Sequence, residues 1–340
     1  MPRRSFFVRE SELDDYQLRI IHRRADSSLI ITGCAGSGKS ILALWKAKQI
    51  QNEHKGSYQM IVFTKALMQY MSDGVYQVGI DTNNVDYQWH WRNKKNCPSS
   101  DYIIIDEAQD FSRDEIELFK TRAKKALLLY GDSAQQLYSF IKDKKTASME
   151  EIAVFTGYPR EQLVFNHRLP KKIARLAERI SSVDDDLEGR CLNEGYEKPN
   201  ILTLSSFEAQ MDKIAEIIKN RNFEDVGILF RHNVDVERAY NYLKNKGVNV
   251  EAKINREMDL NFNSDNPKIL TYHSAKGLQF EAVFIPECTC SDNEDRNPLY
   301  VAITRTYQSL YIMHSGNLSS FFDAVPTSLY ETGSTTTTQL

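Results

Sequence analysis

Residues 33–40 read Gly33-Cys34-Ala35-Gly36-Ser37-Gly38-Lys39-Ser40. They meet the phosphate-loop pattern G-x-x-x-x-G-K-S at every fixed position. Ahead of them, Ser28-Leu29-Ile30-Ile31-Thr32 is a short apolar run that reads as a buried strand. Behind them, Ile41-Leu42-Ala43-Leu44-Trp45-Lys46-Ala47 is a good helix former. Strand, glycine loop and helix is the context in which the backbone curls its N–H groups inward around a polyphosphate, with the start of the helix adding partial positive charge. Gly33, Ala35, Gly36, Ser37 and Gly38 form the cradle, Lys39 reaches the outer phosphates, and the Ser40 hydroxyl is a ligand for Mg²⁺. The stretch predicts binding of a nucleoside triphosphate.

The neighbouring sequence sets this loop in a larger α/β pattern. Tyr58–Phe63 reads as a second strand, followed by a helix from Lys65 to about Ser72, and residues 73–100 read as polar and irregular. Tyr102-Ile103-Ile104-Ile105 is an apolar strand delivering Asp106 and Glu107 at its end, and a helix over 114–123 leads to the strand Ala126–Tyr130 and the loop Gly131–Tyr138. Strands alternating with helices predict a parallel, doubly wound sheet, which binds ligands at the carboxyl ends of its strands. Residues 141–160 read as a hinge, and the same alternation resumes beyond them without a second phosphate loop. The predicted domains are 1–145 and 146–326, with 327–340 as a disordered, low-complexity tail.

Composition excludes several classes. No apolar run approaches the roughly 20 residues that cross a bilayer, and the basic start Met1-Pro2-Arg3-Arg4 lacks the apolar core of a secretory signal. Five scattered cysteines, one of them Cys34 inside the phosphate loop, predict a reducing, cytoplasmic setting. Cys288 and Cys290 are spaced wrongly for the usual zinc pairs. A net charge of −3 predicts no general positive coat but leaves room for a local basic groove.

Hydrolysis of a phosphoanhydride needs a held metal, an aligned water and stabilised negative charge. Asp106 is placed to hold Mg²⁺ together with Ser40, Glu107 to orient or deprotonate the water, and Gln135 to reach the terminal phosphate. Arg168, just before Pro170, and Arg305, after a largely apolar helix, are the candidate arginines from the second domain. A guanine-binding or small-molecule kinase reading explains the phosphate loop alone, and no Asn-Lys-x-Asp or Thr-Lys-x-Asp motif is present.

The order of the motifs carries a resemblance. Gln17, GCAGSGKS (33–40), IVFT (61–64), IIIDEAQD (103–110), YGDSAQQLY (130–138), LVFNHRLP (163–170), TYHSAKGLQFEAVFIP (271–286) and LYVAITR (299–305) are similar to the motif series of superfamily 1 helicases of the UvrD, Rep and PcrA kind. The resemblance implies two RecA-like parallel-sheet domains in tandem with the ATP site in the cleft between them. It implies that Gln17 reads adenine, that Gln135 senses the terminal phosphate, and that Arg168 and Arg305 act as arginine fingers. His167 stands where the family usually stacks a tyrosine on adenine. Gly277 and Gln279 lie where a glutamate normally contacts the ribose. For single-stranded nucleic acid, DNA favoured over RNA, the matching positions are Phe63, Thr64, Tyr138, Phe140, Thr271 and His273, with Trp89, His90 and Trp91 as a poorer match. Ile141 replaces a common arginine.

Only 67 positions separate Lys39 from Asp106 and 103 separate Arg168 from Thr271, where full-length members insert extra domains. The resemblance therefore implies a minimal, ATP-driven translocase or helicase moving 3′ to 5′ in DNA repair. The alternative is a switch or sensor subunit that uses the same ATP site beside a partner such as a nuclease.

Overall fold

The structure, a computed structural model, describes residues 8–54, 56–93, 95–135, 145–182, 186–255 and 258–334. It forms two compact units that part between His167 and Arg168. In the first, the order is α1 (Asp15–His22), β1 (Leu29–Gly33), α2 (Lys39–Gln49), β2 (Tyr58–Val62), α3 (Lys65–Val78), β3 (Val85–Tyr87) and α4 (Gln88–Asn93). Then follow β4 (Ser100–Ile105), α5 (Arg113–Arg122), β5 (Ala123–Gly131), α6 (Met149–Thr156) and β6 (Arg160–Leu163). The sheet order is β3-β2-β4-β5-β1-β6, and every pairing in it is parallel.

A parallel sheet is covered on both faces, so its central strands are apolar throughout. Ile30, Ile61, Ile103, Ile105, Leu127 and Leu129 pack with Phe111, Ile116, Phe119 and Ile152 in one buried cluster. Helix starts are written locally: Ser112 with Glu115, and Ser148 with Glu151, form reciprocal capping boxes ahead of α5 and α6. The register matters for the site. Ile105 pairs with Leu129 and Ile31 with Tyr130, so Asp106 stands level with Ile31 at the middle of β1, with β5 between them.

The second unit follows β7 (Asn166–Pro170), which forms a separate two-stranded sheet with β8 (Cys191–Asn193). Its elements are α7 (Lys171–Ile180), α8 (Leu187–Arg190), then after β8, β9 (Asn200–Thr203), α9 (Phe207–Arg221), β10 (Val226–Phe230) and α10 (Asn233–Asn245). β11 (Glu251–Ala252), β12 (Lys268–Thr271), β13 (Phe280–Ile285), α11 (Asn293–Ile303), β14 (Thr306–His314) and β15 (Glu331–Ser334) complete it. The seven strands are ordered β11-β12-β10-β13-β14-β9-β15, again all parallel. The α/β class with two parallel-sheet domains is as the sequence predicts.

Three expectations are corrected. The described residues of 73–100 carry regular elements: α3 runs on to Val78, and β3 and α4 add an edge strand with its own helix. The predicted hinge over 141–160 contains α6 and leads into β6, which pairs along β1 from Ile30↔Arg160 to Gly33↔Leu163. The first domain therefore reaches His167 rather than ending at residue 145. The predicted tail is structured in its first part, where Thr327–Leu329 makes a helical turn and β15 pairs with β9; residues 335–340 lie outside the described residues. Between Lys39 and Asp106, and between Arg168 and Thr271, the described residues hold only core sheet and helix elements. No helix among the described residues is long and apolar enough to cross a membrane.

Candidate active site

The phosphate loop leaves β1 and turns through Gly36 (φ 75°) and Gly38 (φ 88°), left-handed conformations that suit glycine. Lys39 is buried, and its Nζ donates to the carbonyls of Gly33 (2.7 Å) and Cys34 (3.0 Å), so the cation is held across the mouth of the loop. Gln17 of α1 lies against the other side. Its amide donates to Ser37 O at 2.9 Å, and a Cβ on Gly38 would stand 2.6 Å from that amide nitrogen. The Gln17 Oε1 accepts from the Asp14 N–H (3.1 Å), while Asp14 Oδ1 accepts from the Gln17 N–H (2.8 Å). The second Asp14 oxygen lies 2.7 Å from His167 Nε2, and the His167 N–H donates to Gly36 O at 3.1 Å. Gln17 and His167, predicted at the base of the nucleotide, thus both touch the phosphate loop, with Asp14 between them.

Behind this arrangement, Lys46 of α2 is buried with its ammonium on the carbonyls of Ile21 (3.1 Å) and Arg23 and on Gln49 Oε1 (2.6 Å). Those carbonyls end α1, so the lysine fastens the helix that carries Gln17 to the helix that follows the loop. Burial pushes its amine down to about 8.

Asp106 is fully buried at the end of β4, and its Oδ1 accepts the Glu107 N–H at 3.0 Å. Burial first, and the neighbouring Glu107 charge second, raise its carboxyl to about 7, opposed by the Ser40 hydroxyl and Lys39. Glu107 sits at φ 58°, ψ 45°, a left-handed backbone that few non-glycine residues adopt and that recurs at functional sites. Its carboxylate accepts from Gln109 Nε2 at 2.5 Å. The other end of that amide, Gln109 Oε1, accepts the Asp132 N–H at 3.0 Å, and Asp132 Oδ2 accepts from Gln135 Nε2 at 2.6 Å. A continuous chain Glu107–Gln109–Asp132–Gln135 therefore joins the acid pair on β4 to the turn after β5. Gln109 and Asp132 are the members that sequence reasoning missed. Gln109 lay within the quoted DEAQD stretch, but its partner is 23 positions away.

Three buried polar atoms here have no hydrogen-bond partner among the described residues: Ser37 Oγ, Asp106 Oδ2 and Tyr130 Oη. Buried polar groups are normally satisfied, so such atoms mark a place for a polar ligand. Together with the left-handed turns at Gly36 and Gly38, the buried Lys39, and hard oxygen donors from Ser40 and Asp106, they fit a nucleoside triphosphate with a divalent metal.

In the second unit, Arg168 and Arg305 meet although they are 137 positions apart. Arg168 Nη2 donates to Thr304 O at 3.0 Å, and Arg305 Nη2 donates to the Thr304 hydroxyl at 3.1 Å. Arg305 is buried and its Nε donates to Val301 O at 2.9 Å. Thr271 and His273 share a cleft of about 430 Å³ at the carboxyl ends of β10 and β12 with Arg231, His232, Lys253 and Ser274. The Thr271 hydroxyl donates to Ser274 Oγ at 3.0 Å, and burial followed by the Lys276 charge lowers the His273 pKa. Gly277, at φ 79°, closes the turn over 272–277, and Gln279 immediately precedes β13.

The first unit's candidate contacts are of mixed character. Phe63 packs edge-on against Phe111 with centroids 5.2 Å apart, and the Thr64 hydroxyl caps α3 by accepting the Leu67 N–H. His90 lies on Asp86 at 2.9 Å, and the exposed Trp89 stacks on Tyr87. Trp91 is a core residue, 1% exposed, against Phe119. Tyr138, Phe140 and Ile141 lie outside the described residues.

A family model for the viral superfamily 1 RNA helicase core domain matches residues 29–314. The chain belongs to this family. A provisionally named ATP-dependent DNA helicase, R568, of Acanthamoeba polyphaga mimivirus is 22% identical over 245 residues, covering 62% of this chain and 34% of that protein. A provisionally named DNA helicase of Mycoplasma pneumoniae is 24% identical, covering 65% of this chain and 44% of that protein. The RecB subunit of the RecBCD enzyme of Borreliella burgdorferi is 24% identical, over 58% of this chain and 18% of its own length. The chain thus spans less than half the length of the curated relatives it matches. Among solved structures, arterivirus nonstructural protein 10, a helicase in complex with DNA, is similar over 91% of this chain and 64% of its own (16% identity, TM-score 0.48).

Proposed function

We propose that this helicase core is a motor of the UvrD-like kind that binds a single nucleic-acid strand, DNA in preference to RNA, and steps along it 3′ to 5′ as it hydrolyses ATP. The observation that carries the reading is the meeting of Arg168 and Arg305 on Thr304, which makes one unit of two arginines drawn from distant motifs. Arginine inserted at a triphosphate stabilises charge in the transition state and is worth ~10³–10⁵ in rate. Lys39, Ser40 and the amides of residues 33–38 would hold the phosphates, with Ser40 and Asp106 holding Mg²⁺. Bound Mg²⁺ supplies charge neutralisation across the phosphate oxygens. Glu107, oriented by Gln109, would align the attacking water, and Gln135 would sense the terminal phosphate through the same hydrogen-bonded chain. Gln17 and His167 would face the base, and Gly277 and Gln279 the ribose. Phe63, Thr64, Trp89, His90, Tyr138, Phe140, Thr271 and His273 would form the strand groove. The relatives named as DNA helicases favour DNA, and the RNA helicase name of the family model makes RNA the other arm of the test.

The test is steady-state ATP hydrolysis with and without single-stranded DNA and RNA oligonucleotides. Stimulation that is lost in Lys39→Ala and Arg305→Ala, with Glu107→Gln binding ATP but turning it over slowly, is the expected result. No stimulation by either strand would sink the reading. The short spans 39–106 and 168–271, whose described residues hold only core elements, favour a second reading. In it the chain is a cytoplasmic ATP switch beside a partner such as a nuclease, without processive unwinding. Release of an end-label block by translocation separates the two.

A further inference from the structure

Arg231 is the first residue beyond β10 and lines the 430 Å³ cleft with Thr271, His273 and Lys253. The same side chain is an ion-pair partner of the next helix but one. Its Nε lies 2.7 Å from Asp295 Oδ1 and its Nη2 3.4 Å from Asp292 Oδ2. Asp292 is the N-cap residue and Asp295 lies in the first turn of α11. At the other end of α11 stand Thr304 and Arg305, with Arg168 bonded to the Thr304 carbonyl. One helix of 11 residues, about 16 Å long, thus has the cleft's arginine at its start and the arginine pair at its end. It is seated firmly: Leu299 to Ile303 are buried, and Arg296 donates to Ile180 O at the end of α7.

We propose that the Arg231–Asp295 pair is the positioning link by which a nucleic-acid phosphate in this cleft is felt at Arg168 and Arg305. The proposal rests on the helicase reading above. A guanidinium offers five N–H donors in a fixed fork, so a phosphate entering the cleft competes with Asp295 and Asp292 for the same group. Asp295 is sensitive to that competition because its side chain is 9% exposed and its Oδ2 has no hydrogen-bond partner among the described residues. A buried carboxylate that loses part of its cation is strongly disfavoured, so the start of α11 must readjust when Arg231 turns to a phosphate. Because the helix is packed along its length, the readjustment reaches Thr304. Arg231 shared with phosphate, or held by the acids alone, are the two arrangements such coupling requires.

The experiment is ATP turnover by the full chain, titrated with oligo(dT) and with oligo(U), for the wild type and Asp295→Asn. The expected result keeps basal turnover and ATP KM within about twofold and oligonucleotide half-saturation within about threefold, while maximal stimulation falls on the order of tenfold, inside the usual range for coupled sites. If Asp295→Asn is stimulated like the wild type, or if basal and stimulated rates fall together, the proposal is overturned. Arg231→Lys is the second variant, in case Asp295→Asn does not fold. It keeps the charge without the fork, and undiminished stimulation there overturns the proposal equally. A wild type that neither strand stimulates removes the helicase reading and this link with it. Stimulation that ignores Asp295 removes only the link.

Discussion

Replacing Lys46 by methionine keeps the length of the side chain and removes its charge. In the folded chain Lys46 is 3% exposed and its amine falls from 10.5 to about 8, chiefly through burial. That fall corresponds to about 3 kcal/mol against the buried cation relative to the neutral amine. Below about pH 8 the lysine is protonated in both folded and unfolded chains, and the full unfavourable burial is present. Between pH 8 and 10.5 the folded chain releases the proton while the unfolded chain keeps it, so stability rises with pH across that window. Lys46→Met lacks this titration. At neutral pH its relief from burying a charge offsets the lost hydrogen bonds to Ile21 and Arg23, about 1–3 kcal/mol each, and the two chains have similar stability. By pH 10 the wild type should be ahead by a further 2–3 kcal/mol or so. All three tryptophans, Trp45, Trp89 and Trp91, lie in the first domain, so urea unfolding followed by their fluorescence reports on the right unit. Other titrating groups are common to both chains and cancel in the difference. A difference that stays flat from pH 7 to pH 10 would refute the burial argument.

Gln109→Leu leaves Glu107 without its donor and the Asp132 N–H without its acceptor. ATP turnover should fall about tenfold or more while ATP affinity changes little, as expected when a water-orienting group is loosened; steady-state kinetics checks this. Trp91→Ala should lower stability by about 3–5 kcal/mol, whereas Trp89→Ala, at a ring 42% exposed, should change it by less than about 0.5 kcal/mol. If Trp89 takes a base, its removal instead weakens oligonucleotide binding by about 1–3 kcal/mol, measurable by fluorescence anisotropy. In Gly131→Ala the new Cβ would stand 2.3 Å from Met149 Sδ and 2.6 Å from Gln109 Oε1. Overpacking of about 1–3 kcal/mol, with slowed hydrolysis because Gln109 is displaced, is the expected pair of effects in melting and turnover assays.

The parts of the fold legible in the sequence are those whose physics is local. Val226–Phe230 and Ile103–Ile105 are buried on both faces and announce themselves as apolar runs, and the phosphate loop needs particular residue types at particular spacings. The parts that were not legible depend on distant partners. β3 is three residues long with Asp86 at its centre, a carboxylate held by His90 and Lys95. β6, Arg160-Glu161-Gln162-Leu163, is polar because it is an edge strand, and β15, Glu331–Ser334, contains no apolar residue. Ser148-x-x-Glu151 did carry a helix-start signal, but lysines before it and Gly157-Tyr158-Pro159 after it suggested a break. In the site, Lys39, Asp106 and Glu107 were readable as types. The link between Gln109 and Asp132 was not, because it is made only when β4 and β5 lie side by side.

The pairing of β6 with β1 decides how this protein can be cut. A fragment ending at residue 145, where the composition suggests a boundary, would strip the outer strand from the strand that leads into the phosphate loop. Its newly bare backbone edge would be a template for sticking to other chains. The same cut removes His167, whose N–H is bonded to Gly36 O within the loop itself. A fragment carried to His167 keeps both, and it is the smallest piece in which nucleotide binding by the first domain can fairly be measured.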